Sequence, residues 1–158
     1  MKKTKFRSTC AIARSLDLFG DKWSLLILRD ILLHKKSAFK EFLNSKEKIA
    51  SNILTNRLAS LIESGYITKL SLKGTKKSAI YIASQESICA LPLLIELYLF
   101  SIKGIPEDIL DESQIEIKSQ IYNDRELFIS TKRQEYIEFS NQLKKISFEN
   151  KLPSYKNK

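Results

Sequence analysis

Apolar residues recur along the chain at two spacings, and the switch between them marks out the elements. Ile12, Leu16 and Phe19 fall at i, i+4 and i+7, which predicts a short first helix over residues 9–19, stopped by Gly20. Asp21 stands in the N-cap position of a second helix over 22–33. Trp23, Leu26, Ile27 and Ile31 line one side of it, with Leu25, Leu28 and Leu32 beside them, so it is apolar nearly all round. Such a helix belongs at the centre of a fold, with Trp23 as a core anchor. Ser37 can cap a third helix over 38–43, where Phe39, Phe42 and Leu43 share a face, and polar residues 44–48 read as a turn. In residues 51–64 the stripe narrows to Leu54, Leu58, Leu61 and Ile62. At about 100° per residue, Asn52, Asn56, Ser60 and Glu63 point the other way, with Thr55 and Arg57 on the flanks. Gly65 supplies the residue after the helix end.

Beyond Gly65 the period drops to two. Residues 66–72 and 78–83 alternate and are rich in Tyr, Ile and Leu. They bracket Lys73, Gly74, Thr75, Lys76 and Lys77, which predicts a hairpin with a basic tip. Ser84 can cap a further helix to about residue 103, kinked at Pro92, and Gly104, Ile105 and Pro106 end it. Residues 107–122 read as an acidic-to-mixed connector, and 124–148 recover helical spacing through Leu127, Phe128, Ile137 and Leu143. The stretch 88–102 is shorter than the roughly 20 residues that span a bilayer and contains Pro92 and Glu96. No apolar leader follows the basic start. The expectation is a cytoplasmic protein with no membrane partner.

Composition narrows the class. The 158 residues are 43% apolar, enough for one core with an appendage, and Gly 4 with Pro 3 argues against a turn-dense β fold. The predicted fold class is mainly α with a small β-hairpin: a winged helix-turn-helix DNA-binding domain over residues 1–104, which includes a first dimer helix, and C-terminal dimerisation helices in 105–158. Charge divides the same way. Residues 1–83 hold 17 Lys/Arg against 6 Asp/Glu, whereas 84–158 hold 10 against 12. A one-sided basic field suits a polyanionic partner, and a near-neutral half suits an interface. One histidine (His34) and two distant cysteines make no zinc site or catalytic triad, and no Gly-rich phosphate loop is present. The protein is therefore expected not to be an enzyme and to need no cofactor or metal. Two cysteines are also too few to staple a secreted domain.

A short helix, a polar turn and a helix with a small-polar outer face is the arrangement that places a recognition helix in the major groove, and a basic hairpin after it fits a wing. Asn can pair bidentately with adenine, and Ser or Thr can bond either kind of base. The candidate DNA-binding residues are therefore Ser51, Asn52, Thr55, Asn56, Arg57 and Ser60 on the helix and Lys73, Lys76 and Lys77 on the wing. Arg57 can touch phosphate or pair with an acid such as Asp30, and Lys22 and Arg29 can contact phosphate or be solvated charges. The alternative is a winged-helix protein-interaction or RNA-binding module without operator specificity. Residues 88–102 carry more apolar surface than one small domain buries on one helix face, so a partner helix is expected to cover it, with Leu94 in the interface. That predicts a homodimer whose two recognition helices lie about one DNA turn apart.

The run from Cys10 through Ala11-Ile12-Ala13-Arg14-Ser15-Leu16-Asp17-Leu18-Phe19-Gly20-Asp21-Lys22-Trp23 to Asp30 resembles the opening signature of the HxlR-type winged helix-turn-helix regulators, which are MarR-like. Residues Phe39 to Leu43 resemble their next helix, and Leu54 to Leu58 with Leu61 to Ile67 resemble their recognition helix and first wing strand. Tyr81 is similar to the aromatic residue of the second strand, and the resemblance covers residues 8–104. It implies a homodimeric bacterial transcription regulator, usually a repressor, on double-stranded DNA with a pseudo-palindromic operator. The family commonly carries Ser where Ala50 stands, Lys at Asn52 and Gln at Asn56, so Ser51 is expected as a substitute cap and a different operator is implied. Cys10 occupies the position of an N-terminal cysteine that senses oxidants or electrophiles in several members, which implies a small oxidant or electrophile as inducer. Nearby Lys5, Arg7 and Arg14 and a helix start favour its thiolate, while a small buried hydrophobe is the other reading. Cys89 is expected in core packing, and a bridge between Cys10 and the other subunit's Cys89 is the sharper expectation.

Overall fold

The computed structural model describes residues 6–71 and 79–149. Helix α1 (Ala11–Phe19) leads to α2 (Lys22–Leu32), α3 (Phe39–Leu43) and α4 (Ser51–Glu63). Strands β1 (Ile67–Ser71) and β2 (Ala79–Ala83) follow, then α5 (Gln85–Ile88) and α6 (Leu91–Ile102). A 3₁₀ turn (Glu107–Ile109), α7 (Glu112–Asn123) and the long α8 (Arg125–Glu149) complete the described residues. The fold is mostly helical with one antiparallel hairpin, in the register Ile67↔Ala83 to Ser71↔Ala79. Ala38 bridges Ile80, and the Tyr81 N–H donates to the Ser37 carbonyl at 2.8 Å, so the segment before α3 adds one rung to the sheet.

Helix α2 is the axis. Ile27, Leu28, Ile31 and Leu32 are buried, and α1, α4, α6, α8 and β2 all pack on it. Each such side chain removed from water is worth about 1.5–3 kcal/mol, so the all-round apolar pattern is what makes this helix central. Its start is fixed as expected: the Asp21 carboxylate accepts from the backbone N–H groups of Trp23 and Ser24 at 3.1 and 3.0 Å. Gly20 approaches the Leu16 carbonyl so closely that a β-carbon would lie 2.2 Å from its oxygen, which leaves glycine as the residue that fits. Trp23 is only half-buried and carries Lys22 over its ring at 4.9 Å, so it closes the edge of the core rather than anchoring its centre.

Several local expectations are corrected by the structure. Ser37 does not cap α3; the Glu41 carboxylate reaches back to accept from the Ser37 and Ala38 N–H groups, each at 2.7 Å. Ser84 does cap a helix, accepting from the Ser87 N–H, but that helix is the short α5. The break falls at residues 89–90, and Pro92 sits in the first turn of a new helix where its missing N–H costs nothing, so no kink forms. Residues 112–123, expected in a connector, are helical because Asp111 and Gln114 form a reciprocal capping box. Among the described residues, Gln85–Ile102 is the one stretch whose length and apolar composition match a membrane span. It is interrupted at its fifth residue, and its Leu91, Leu94, Ile95 and Ile102 are buried in the protein.

The C-terminal helices join the same core. Ile121, Phe128, Ile129 and Tyr136 cluster with the buried residues of α2, α4 and α6, while Leu127 is exposed. Arg125 pairs with Glu96 at 2.5 Å, and Lys35 with Glu135 at 3.0 Å. Tyr136 is 1% exposed, and its hydroxyl oxygen accepts from the Ala83 N–H at 2.6 Å, at the end of β2. Desolvation pushes its pKa up to about 12, against the small opposing effect of that hydrogen bond.

Replacing Tyr136 by Phe leaves the Ala83 N–H buried without a partner and should cost about 1–3 kcal/mol in urea unfolding at pH 7. An unfolded tyrosine loses its proton near pH 10 and the folded one only near 12, so stability falls as pH rises through that window. The Tyr136→Phe variant should lose that part of the alkaline dependence; an unchanged slope between pH 10 and 12 would contradict the assignment.

Candidate nucleic-acid interface

The outer face of α4 is built by what its inner face must do. Leu54, Leu58 and Leu61 are buried against α2, α3 and β1, which turns Ser51, Asn52, Thr55, Asn56 and Ser60 to solvent, all exposed. The helix ends in a Schellman motif: Tyr66 N–H donates to the Leu61 carbonyl at 2.9 Å and Gly65 N–H to the Ile62 carbonyl at 3.0 Å. Gly65 takes φ 80°, the left-handed conformation that favours glycine there.

The start is bare. Ala50 takes the N-cap position and offers no side-chain acceptor. Ser51 does not substitute; it is the first helical residue, and its carbonyl accepts the Thr55 hydroxyl at 2.8 Å. Thr55 therefore spends its hydroxyl proton within the helix and can offer a base only lone pairs. The amides of Asn52 and Asn56 and the hydroxyl of Ser60 bond nothing among the described residues. The first-turn N–H groups of α4 have no side-chain cap, a disposition that suits a phosphate oxygen.

Charge ties the turn before α4 to α2. Asp30, 3% exposed at the end of α2, accepts from Lys36 Nζ at 2.8 Å, from the Ser45 hydroxyl and from Arg29 at 2.7 Å. Burial alone would raise its pKa; the hydrogen bonds from Lys36, Ser45 and Arg29 outweigh it and hold the carboxyl below its ordinary value. Ser45 lies in the turn between α3 and α4, so this network binds the turn to α2. Arg29 also grips Glu47 at 2.6 and 3.1 Å and holds that carboxyl down at about 2. The guanidinium is thus spent on the scaffold rather than free for phosphate. Arg57 pairs with Asp21, at 3.4 Å, and not with Asp30; it locks α4 against the start of α2 while its side chain stays 40% exposed.

Cations without an acid partner frame the face. Lys40 on α3, Lys48 just before α4 and Lys69 on β1 are exposed and make no ion pair among the described residues. Sequence reasoning passed over these three, because a scattered lysine carries no pattern until the fold sets it beside α4. Of the sequence candidates, Ser51, Asn52, Thr55, Asn56, Arg57 and Ser60 come together on one helix, whereas Lys73, Lys76 and Lys77 lie outside the described residues.

The cysteines depart from their core readings, since Cys10 and Cys89 are both exposed. Cys10 directly precedes α1, where Arg14 stacks on Phe6 at 4.4 Å and Arg7 pairs with Asp17. Helix α1 has no buried residue: Ile12 and Leu16 are exposed. On α6 the exposed apolar residues are Leu93, Leu97 and Phe100, while Leu94 is buried within its own protomer and so is not the interface residue expected of it.

The model of the HxlR-like helix-turn-helix family matches residues 18–107. No curated protein matches the chain. Among solved structures the chain is similar to PA1607, a protein described as a candidate transcription factor, at 28% identity over 67% of this chain and 72% of that one, with a TM-score of 0.58. It is also similar to PA1374 from Pseudomonas aeruginosa, at 29% identity over 65% and 68% of the two chains and a TM-score of 0.46. A MarR protein from Peptoclostridium difficile shares the fold at 19% identity over 79% and 77%, with a TM-score of 0.50.

Proposed function

The chain belongs to the HxlR-like helix-turn-helix family of DNA-binding transcriptional regulators, and from that premise we propose that it is a homodimeric repressor that reads a pseudo-palindromic operator with α4. The observation that carries this reading is the outward face of α4, whose amides and hydroxyls at Asn52, Asn56 and Ser60 have no partner in the protein and are framed by unpaired lysines. Asn56 reads a base, and Lys73, Lys76 and Lys77 grip phosphate from the wing. Residues 1–104 act as the DNA-binding unit with the first dimer helix, and 105–158 form an extension that supports it. The dimer is held by the large apolar residues left uncovered on α1 and α6, Ile12, Leu16, Leu93, Leu97 and Phe100. An oxidant takes two electrons and two protons from Cys10 and the partner's Cys89, leaving an intersubunit disulfide that releases DNA.

Selection from a random duplex pool should return a pseudo-palindrome, and Asn56→Ala should cost about 1–3 kcal/mol at one base pair only. Output without a shared sequence would instead favour a winged module lacking operator specificity. Leu97→Lys with Phe100→Lys should give folded monomers in sedimentation at micromolar concentration that no longer bind the operator; a persisting dimer would refute that interface. After mild oxidation the wild type should show a dimer band on a non-reducing gel and lose operator binding, whereas Cys10→Ser should show neither. Equal release of both proteins would remove Cys10 from the response.

A further inference from the structure

Helices α7 and α8 lie beyond the residues that the family model matches, and they carry a groove of their own. It follows one flank of α8 from the elbow at Asp124 and has a volume of about 320 Å³, within the range that takes small molecules. Leu127 and Phe128, three and four residues after Asp124, share its side of the helix. Phe128 is the floor, 6% exposed, and Leu127 is an apolar wall, 59% exposed. The end of α7 adds Gln120 and Asn123 to the lining.

The polar groups at the elbow are mostly acceptors without a donor. Asp124 caps α8 through one carboxylate oxygen, which accepts from the Leu127 N–H at 2.9 Å, and its other oxygen has no partner among the described residues. No described cation pairs with it, because Arg125, next in the chain, is turned to Glu96 on α6. Gln120 donates its amide N–H to Glu116 at 3.0 Å, which leaves its carbonyl oxygen unspent. A second feature agrees on the sign of charge. The Phe128 ring already carries an ammonium, with Lys132 Nζ 5.6 Å from its centroid, and the face of a ring attracts cations. The groove therefore sets an unpaired carboxylate one helical turn from a ring that accepts a cation.

The far end of the groove reaches the DNA-binding unit. Both carboxylate oxygens of Glu135 lie 3.3 Å from Lys132 Nζ, and Glu135 also holds Lys35 at 3.0 Å. Lys35 is the corner at φ 54° that precedes Lys36, which holds Asp30. One carboxylate thus links the groove to the network that ties the turn before α4.

We propose that this groove binds a small organic cation, an ammonium group on an apolar body, with the ammonium on Asp124 and the body against Phe128 and Leu127. The ligand moves Lys132 off the ring and fully onto Glu135, which loosens the grip of Glu135 on Lys35 and lowers affinity for the operator. That last step rests on the reading of α4 as the DNA-reading helix; the binding itself does not.

Calorimetry on the full chain tests the site with phenethylammonium and hexylammonium chloride, and with phenethyl alcohol and phenylpropionate as neutral and anionic probes of like shape. The ammonium probes should bind at a single site per chain, and the alcohol and the carboxylate should not. Asp124→Asn keeps a good N-cap and should weaken ammonium binding about tenfold. Leu127→Ser, at an exposed position, should weaken it as well, and both variants should melt as the wild type does. Equal uptake of cation, alcohol and carboxylate, no uptake of either ammonium, or full ammonium binding by both variants would overturn the proposal. Saturating phenethylammonium should lower wild-type operator affinity about fivefold or more. Lys35→Gln, outside the groove, should bind the probe as the wild type does and show no such fall. Unchanged operator affinity with the probe bound would overturn the link through Glu135. A wild type that takes up the probe but binds no duplex would overturn the reading of α4 and leave the groove in place.

Discussion

The buried carboxylate of Asp30 is the constraint on which the working surface depends. A charge with 3% exposure survives only because Lys36, Ser45 and Arg29 surround it with donors. Those donors come from the end of α2, the loop after it and the turn before α4, so satisfying one anion fixes three segments at once. Removing the anion would strand cations that the fold has gathered, which is why such networks cost more to break than they contribute when formed. Lys35, at φ 54°, is the sharp corner that lets the chain turn back so that Lys36 reaches Asp30.

The same accounting separates scaffold from surface. Arg29 is consumed by Asp30 and Glu47, Lys36 by Asp30, and Lys35 by Glu135. Arg57, on the flank of α4, is shared between the two duties: it holds Asp21 yet keeps much of its guanidinium in water. Lys40, Lys48 and Lys69, near α4 and on β1, remain uncommitted among the described residues, as do Lys103 and Arg133 elsewhere. A solvated helix face alone would be unremarkable; this one stands on a rigid, charge-locked frame with an uncapped N-terminal turn.

Much of this was legible before any coordinates. Helix α4 was readable because three leucines at helical spacing leave one answer for which side is buried, and Gly65 marks the end. The hairpin was readable from its period of two. Helix α6 was not: with apolar residues all round, it carries no phase, so Leu94 and Leu97 cannot be told apart, and the structure buries the first and exposes the second. Helix α8 was readable as a helix over 124–148, but the face it packs with was not, for the opposite reason. Its contact face includes Ser140 and Ser147, which no apolar count registers, and its reach to the wing depends on one hydroxyl and one carbonyl distant in sequence. The pairing of Arg57 with Asp21 rather than Asp30 was equally hidden, since both acids sit on α2's borders and sequence gives no distance between them.

The bond from Ala83 to Tyr136 spans 53 residues. During synthesis the hairpin leaves the ribosome long before the phenol that satisfies its last buried amide. Until α8 emerges, the sheet must leave that amide to water, and the core beneath it stays open to solvent. The hairpin that follows α4 is therefore finished by a side chain made 53 residues after it, so its last rung forms only once α8 has folded back onto it.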